Sequence, residues 1–234
     1  MSTPLRLLMT ALAASLLTAA AAAEPTPAQR QALQARLEAA VLDHEQGRLA
    51  QAREAFEGLA RAGVPAADYN LAVMHLQGEV PGASRAEALR LMTRAAEHGF
   101  VTAAYGVAQL YETGDAGRRD LPQANRWYLR AAEGGSVDGQ LAIATAYYLG
   151  RGAAKDLPAA AHWYREAAKG GDVGAQYILA SMYEAGDGVA HDLRLARYWY
   201  DIAARNGDEA APGKRAEMDA KLAAGAAPAV TGRP

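Results

Sequence analysis

The chain has 234 residues, with 24 Lys and Arg against 26 Asp and Glu, so its formal net charge at pH 7 is −2. A charge this close to balance argues against a nucleic-acid-binding protein and against recruitment to an anionic membrane surface. The sequence contains no cysteine, which excludes disulfides and leaves the stability of the fold to packing alone.

Residues 1–23 have the pattern of a secretory signal peptide. Arg6 supplies a positive start, residues 7–17 are mostly apolar, and residues 19–23 are all alanine. We expect cleavage before Glu24 and a periplasmic mature protein. The alternative is a membrane anchor, but the apolar stretch is short and rich in alanine, which argues against one. No other stretch is long and apolar enough to span a bilayer, so we expect no stable membrane insertion.

Residues 24–64 predict a helical hairpin that diverges from the rest of the chain. Thr26, Pro27 and Gln29 form the pattern of a capping box with proline at the first helical position. A first helix is expected to run to about Gln46, and a second to cover about residues 50–62.

From residue 65 onward the sequence repeats itself every 36 residues. The four predicted units are residues 65–100, 101–136, 137–172 and 173–208. The columns that recur in phase are the Trp-Tyr pairs at 127–128, 163–164 and 199–200, the Ala-Ala pairs at 95–96, 131–132, 167–168 and 203–204, and the closing glycines Gly63, Gly99, Gly135, Gly171 and Gly207. Self-similarity at such a period is typical of a solenoid, in which each unit packs only on its neighbours.

Each unit predicts a first helix (helix A), a turn and a second helix (helix B). Helix B opens with a residue whose side chain can accept from the free amides of the first turn: Ser84, Asp120, Asp156 and Asp192. Ser84 and Glu87 also predict a capping box. After Asp208 the pattern decays into an expected C-terminal capping helix at 209–224 and a disordered tail at 225–234.

The repeated columns resemble the Sel-one-like repeat (SLR), a helix-turn-helix relative of the tetratricopeptide repeat. The last unit carries the resemblance most completely, in Ala175-Gln176-Tyr177-x-Leu179-Ala180-x-Met182-Tyr183-x-x-Gly186, Asp192 and Tyr198-Trp199-Tyr200-x-x-Ala203-Ala204. The first unit departs from it, since His75 replaces the tyrosine and Leu91-Met92 replaces Trp-Tyr. The resemblance implies an all-α, right-handed solenoid of antiparallel helix pairs that acts as an adaptor.

The sequence offers little support for catalysis or metal binding. The histidines are scattered, no cysteine joins them, and no metal or cofactor site is predicted. Gly150-x-Gly152-x-x-Lys155 superficially resembles a phosphate loop, but it follows no strand, and Gly186-x-Gly188 repeats the turn without the lysine. Neither Ser-x-x-Lys nor Gly-x-Ser-x-Gly occurs. We therefore expect no enzymatic activity.

The aromatic columns have two interpretations. Trp127, Trp163 and Trp199 recur at the repeat period beside Ala-Ala, which favours a structural core between repeats. The alternative is a platform for carbohydrate or peptide. The tyrosine after each tryptophan could expose its hydroxyl.

The helical phase of helix A predicts an outward-facing surface that varies between units. The candidate partner-binding residues are Asn70, Gln109, Glu112, Thr145, Tyr148, Ser181 and Glu184, and Val73 and Gly106 share the predicted phase. A variable surface is expected either of a partner site or of an unconstrained solvated face. In the first case Tyr148 would anchor an extended polar or basic peptide, and Glu112 and Glu184 would supply carboxylates.

The sequence favours an exported, non-enzymatic scaffold that binds a protein or peptide on the concave face of a solenoid, in an envelope assembly or a signalling complex. One alternative is a module that binds cell-wall glycan by stacking Tyr148 and Tyr177 on sugars. The other is a hydrolase whose residues come from several repeats.

Overall fold

The structure is a computed structural model that describes residues 25–115 and 117–226, and all regular structure in these residues is α-helical. Residues 1–23, where the signal peptide is predicted, and residues 227–234 of the predicted tail lie outside the described residues. The chain divides into two compact units after Ser136.

The first unit contains six helices: α1 (Pro27–Glu45), α2 (Leu49–Arg61), α3 (Pro65–Gln77), α4 (Arg85–Glu97), α5 (Val101–Thr113) and α6 (Leu121–Glu133). The second contains five: α7 (Val137–Leu149), α8 (Leu157–Lys169), α9 (Val173–Ala185), α10 (Leu193–Arg205) and α11 (Ala211–Ala226). Helix A of the four repeats is therefore α3, α5, α7 and α9, and helix B is α4, α6, α8 and α10. The predicted bounds of the N-terminal hairpin hold to within one residue.

Packing between neighbours in sequence builds both units. In the first, α3 pairs with α4 and α5 with α6, while α2 packs on α3 and α4 on α5. In the second, α7 pairs with α8 and α9 with α10, with α8 on α9 and α11 on α10. The fold is an all-α helical-repeat solenoid, as predicted. Helices of 13 residues are marginal alone in water, so each depends on these contacts. Among the described residues, no helix has the length and apolar character needed to cross a membrane.

Small residues set the spacing of the helix pairs. Four helix-A alanines at the 36-residue period are completely buried: Ala72, Ala108, Ala144 and Ala180. On helix B the Ala-Ala pairs are buried in the same way, except that Ala204 is only partly covered. With methyl side chains at these columns, backbones approach closely and the larger side chains fill the space around them.

The predicted helix starts are present. Thr26 and Gln29 form a complete capping box. On helix B, Asp120 accepts from the amide of Gln123 at 2.9 Å, and Asp156 and Asp192 cap their helices likewise.

The first repeat departs from the predicted capping box. Ser84 Oγ accepts from the amide of Glu87 at 3.3 Å, but the Glu87 carboxylate binds Arg90 instead of returning to Ser84. The Ser84 amide donates to His75 Nδ1 at 3.2 Å. In the other repeats the amide at this position donates to a backbone carbonyl; for example, the Asp192 amide donates to the Tyr183 carbonyl.

One glycine marks a close approach between two repeats of the second unit. Gly188 has φ +69°, and a Cβ there would lie 2.2 Å from the carbonyl oxygen of Leu157. Leu157 begins helix B of the preceding repeat. The turn after α9 therefore rests directly on the start of α8, and only glycine fits at the contact.

The C-terminal helix differs from its predicted bounds by two residues at each end, and its capping role stays a prediction. It runs over Ala211–Ala226 and not 209–224. Ala211 and Met218 are completely buried, as are Ala175 and Met182 36 residues earlier. Helix α11 thus buries two positions in phase with helix A of the last repeat.

Candidate partner-binding surface

The predicted outward surface of helix A is partly wrong in the first two repeats. Asn70 is 0% exposed, and α3 is buried at every residue from Ala66 to Met74 because α2 and α4 both pack on it. Val73 and Gly106, which share the predicted phase, are buried as well. Asn70 therefore cannot reach a partner. Its amide Nδ2 and Oδ1 lack hydrogen-bond partners among the described residues.

The tyrosines of helix B, not the tryptophans, fill the core. Tyr128, Tyr164 and Tyr200 are at most 5% exposed. Trp127, Trp163 and Trp199 are partly buried and pack against the core from its margin. The predicted core role of the tryptophans thus holds only in part, and the tyrosines, whose hydroxyls the sequence allowed to be exposed, are buried. Helical phase explains the exchange, since adjacent residues point about 100° apart and the tyrosine is the one in line with the Ala-Ala pair.

Each buried tyrosine hydroxyl reaches back to helix A of its own repeat. Tyr128 donates to Glu112 Oε2 at 2.6 Å, and Tyr200 donates to Glu184 Oε2 at 3.0 Å. The two candidate carboxylates therefore satisfy buried hydroxyls inside their own helix pairs. A buried hydroxyl without a partner would be costly, so these contacts are structural.

The third repeat replaces this carboxylate with Tyr148. Here the Tyr164 hydroxyl lies 3.1 Å from Thr145 Oγ1, and Thr145 also donates to the Leu141 carbonyl at 2.8 Å. Burial raises the pKa of Tyr164 above its ordinary value, although the hydrogen bond to Thr145 opposes this. Thr145 thus takes over the role of the missing carboxylate.

Tyr148 itself is partly exposed at the end of α7. Its ring meets Tyr164 edge-on, with the ring centres 6.2 Å apart, and Lys155 Nζ lies 5.8 Å from the ring centre. The next residue, Leu149, is 56% exposed. An aromatic ring supported by a packed neighbour and flanked by an exposed leucine offers apolar contact area at this end of the helix.

Two lysines of helix α11 also form ion pairs with Glu184. Lys221 Nζ lies 2.7 Å from Glu184 Oε1, and Lys214 Nζ lies 3.6 Å from Oε2. Burial opposes ionisation of Glu184, but the hydrogen bonds from Lys221 and Tyr200 and the charges of the two lysines outweigh it. The pKa of Glu184 is therefore below its ordinary value. The carboxylate is already neutralised by the chain's own lysines.

The remaining candidates are less engaged. Gln109 and Ser181 are partly buried on α5 and α9. Tyr177, named in the glycan hypothesis, packs edge-on against Tyr200 with ring centres 5.1 Å apart. Over the described residues, no group of three or more histidine, aspartate or glutamate side chains could hold a metal ion.

Comparison with known proteins agrees with the 36-residue period. The sequence matches the Sel1 repeat over residues 65–100, 101–136, 137–172 and 173–208. The chain belongs to the Sel1 repeat family. Comparison with curated proteins gave no match.

Two solved structures with Sel1-like folds resemble the chain. One is c5321, a protective antigen of uropathogenic Escherichia coli with an SLR fold, at 30% identity and a TM-score of 0.70, covering 80% of this chain and 41% of that one. The other is a Sel1 repeat protein from Oxalobacter formigenes, at 26% identity and a TM-score of 0.72, covering 80% of this chain and 76% of that one. This chain therefore spans about two fifths of the length of the E. coli antigen. Sel1 repeat proteins generally mediate protein–protein interactions and are typically non-catalytic.

Sequence reasoning missed the internal partners of this surface. Lys214 and Lys221 lie in a segment where the repeat pattern fades, so no column pointed to them. The Tyr-to-Glu hydrogen bonds had a usable signal: tyrosine follows glutamate by 16 residues in both places where the bond forms.

Proposed function

We propose that this chain is an exported, non-enzymatic scaffold that binds a protein or peptide through helix A of its Sel1 repeats. The observation that carries the proposal is the end of α7, where partly exposed Tyr148 stands next to Leu149, which is 56% exposed. Aromatic residues supported by packed neighbours dominate the energy of many interfaces. The general role of the family in protein–protein interaction supports the same function.

The internal contacts narrow the chemistry of the partner. Glu184 is held by two lysines, so it is not an open site for a basic residue, and one carboxylate oxygen of Glu112 accepts from the Tyr128 hydroxyl. Lys155 adds a positive charge beside Tyr148. The sequence suggested an extended polar or basic peptide. Of these two, the proposed partner is the polar peptide, with an apolar side chain for Tyr148 and Leu149.

The test is a pull-down from envelope extract with the mature protein and its Tyr148→Ala variant. Loss of Tyr148 should weaken binding of the captured protein by about 2 kcal/mol, as at other aromatic anchors. The matched control is Arg126→Ala, an exposed change on helix B that should leave binding intact. A partner lost with Arg126→Ala and retained with Tyr148→Ala would place the interface elsewhere.

Incubation of the protein with purified peptidoglycan distinguishes the two alternative functions. Retention of the protein on purified peptidoglycan, with loss in Tyr177→Ala, would favour the glycan module. Release of soluble fragments from peptidoglycan would favour the hydrolase.

Export is a separate part of the proposal and rests on residues 1–23. N-terminal sequencing of protein from a periplasmic fraction should begin at Glu24. An intact Met1 in the membrane fraction would support the anchor instead.

A further inference from the structure

The strongest unassigned feature is an open groove between α4 and α5 in the first unit. It encloses about 450 Å³ and is lined by Leu89, Arg90, Thr93, Arg94 and Glu97 of α4 and by Tyr111 of α5. The groove lies where helix B of the first repeat meets helix A of the second. It uses none of the partner-binding candidates on helix A, so it does not rest on the proposed function.

The second unit shows what fills the same place in another pair of repeats. Helix α8 meets α9 as α4 meets α5, and Arg165 and Tyr183 occupy the positions of Thr93 and Tyr111, 72 residues later. Arg165 Nη2 donates to the Tyr183 hydroxyl at 3.0 Å, and the guanidinium carbon lies 5.9 Å from the ring centre. An arginine of the chain itself covers that tyrosine.

The two tyrosines also differ in burial. Tyr183 is 9% exposed beneath Arg165, whereas Tyr111 is only partly buried. Threonine is too short to cover the ring. Within residues 25–115 and 117–226, the Tyr111 hydroxyl also has no hydrogen-bond partner. The first pair thus keeps the ring and hydroxyl that receive a guanidinium in the other pair but lacks the arginine.

The charges at the groove suit a cation although two arginines line it. Arg90 is bound at both Nε and Nη2 by Glu87, at 2.8 and 2.6 Å, and Arg94 is bound by both carboxylate oxygens of Asp68. Both guanidinium charges are therefore compensated. The Glu97 carboxylate lines the groove without an ion-pair partner in the described part of the chain, although Arg130 Nη2 donates to the Glu97 backbone carbonyl at 3.3 Å.

We propose that the groove between α4 and α5 is a socket for an arginine side chain of a partner protein. The guanidinium stacks on the Tyr111 ring, donates to its hydroxyl and pairs with Glu97, as Arg165 does at Tyr183 without the carboxylate. The socket is a second interaction surface, specific for a cationic residue, on helices other than the one that carries Tyr148.

The test is a titration of the ¹⁵N-labelled protein with N-acetyl-arginine methylamide, followed by amide chemical shifts. We expect saturable shifts at Thr93, Glu97 and Tyr111. The lysine analogue should bind about threefold more weakly, because it lacks the planar group that stacks on the ring. The glutamate analogue should cause no saturable shift. Saturation by the glutamate analogue alone would show an anion site and overturn the proposal.

Two substitutions exploit the internal comparison. Thr93→Arg should fill the socket as Arg165 fills its counterpart, and abolish the response. Ala223→Arg adds the same charge at an exposed position of the second unit and should leave the response unchanged. Arg165→Ala should open a second socket and add shifts at Tyr183. If Thr93→Arg does not fold, Tyr111→Ala serves in its place and should weaken binding about threefold. An unchanged response in the variant tested, or no arginine response in the wild type, would refute the socket.

Discussion

The Tyr200 hydroxyl donates to Glu184 Oε2 at 3.0 Å and thereby joins α10 to α9 within the last complete repeat. Tyr128 makes the equivalent contact with Glu112 at 2.6 Å in the second repeat. Glu112 and Glu184, which were predicted to bind a partner, therefore also make the polar contact within each helix pair. Their substitution affects stability before it affects binding.

Removal of the Tyr200 hydroxyl tests this polar contact directly. Tyr200→Phe keeps the ring but deletes a hydrogen bond to a charged group, so the free energy of unfolding should fall by about 2 kcal/mol. Urea denaturation measures the change. Tyr198→Phe is the control, because Tyr198 is 52% exposed and its loss of a hydroxyl should have little effect. Equal losses in the two variants would contradict a special role for Tyr200.

The pKa of Glu184 predicts a dependence of stability on acid. Its native pKa lies below the ordinary value of 4.5, so the unfolded chain takes up the proton first as the pH falls. The stabilisation is present at neutral pH and is lost as the pH falls through the native pKa. Glu184→Gln should therefore be less stable than the wild type at pH 7, and the difference should shrink toward pH 3.

Thermal unfolding at several pH values measures this difference. Glu209→Gln, a change at an exposed carboxylate of the same unit, is the control. A difference between Glu184→Gln and the wild type that stays constant with pH would show that the ion pairs do not stabilise the fold.

The adjacent aromatic residues of α8 should differ sharply in their contribution to stability. Tyr164 is 2% exposed, and Tyr164→Ala should cost about 3–5 kcal/mol, as large-to-small changes at packed aromatics do. Trp163 packs only at the margin of the core, so Trp163→Ala should cost clearly less. Denaturation of the two variants side by side checks the order. The reverse order would restore the tryptophan as the core residue.

The sequence predicted the helix pairs, the repeat bounds and most caps, because each depends on local chemistry that recurs in phase. It did not predict which member of each Trp-Tyr pair is buried. Both are large and aromatic, and only the angle at which helix B faces its neighbours separates them. Asn70 was misplaced for a related reason: its helix is covered by α2, a contact with a hairpin that lies outside the four repeats.

The sequence could predict which positions form the candidate surface, but not the contacts that these residues make. The phase of helix A correctly marked Tyr148 as partly exposed. It could not show that Glu184 is held by lysines of α11, because that contact joins residues 37 apart through a helix whose repeat columns are degraded.

Asn70 offers a stabilising substitution. Its amide is completely buried and makes no hydrogen bond among the described residues, so the native state bears the cost of its desolvation. Asn70→Leu keeps the branched outline of the side chain, although it is larger, and removes both polar atoms, so it should raise the free energy of unfolding by about 1–2 kcal/mol. Asn70→Asp should lower it, since a buried carboxylate is costlier still. A loss of stability in Asn70→Leu would reveal a polar partner of the amide.

The contact between Gly188 and Leu157 predicts a strong effect of a single methyl group. Gly188→Ala forces a positive φ on alanine and a clash with a carbonyl oxygen, so it should cost at least about 2 kcal/mol. Gly213→Ala is the matched control, because nothing lies near that position and a helical alanine should gain about 0.5–1 kcal/mol. Melting temperatures that fall equally in both variants would contradict the close approach.

Helix α11 has a consequence for how salt acts on the fold. It keeps the inward residues of helix A, Ala211 and Met218, but has Arg215 and Asp219 where α9 has Leu179 and Tyr183. These charged residues pair with Asp201 and Arg197 of α10, so α11 is committed to the helix before it. The contact between α11 and α10 therefore depends on ion pairs at positions where α9 has apolar or aromatic side chains. Salt should weaken this contact more than it weakens the contacts between the repeats.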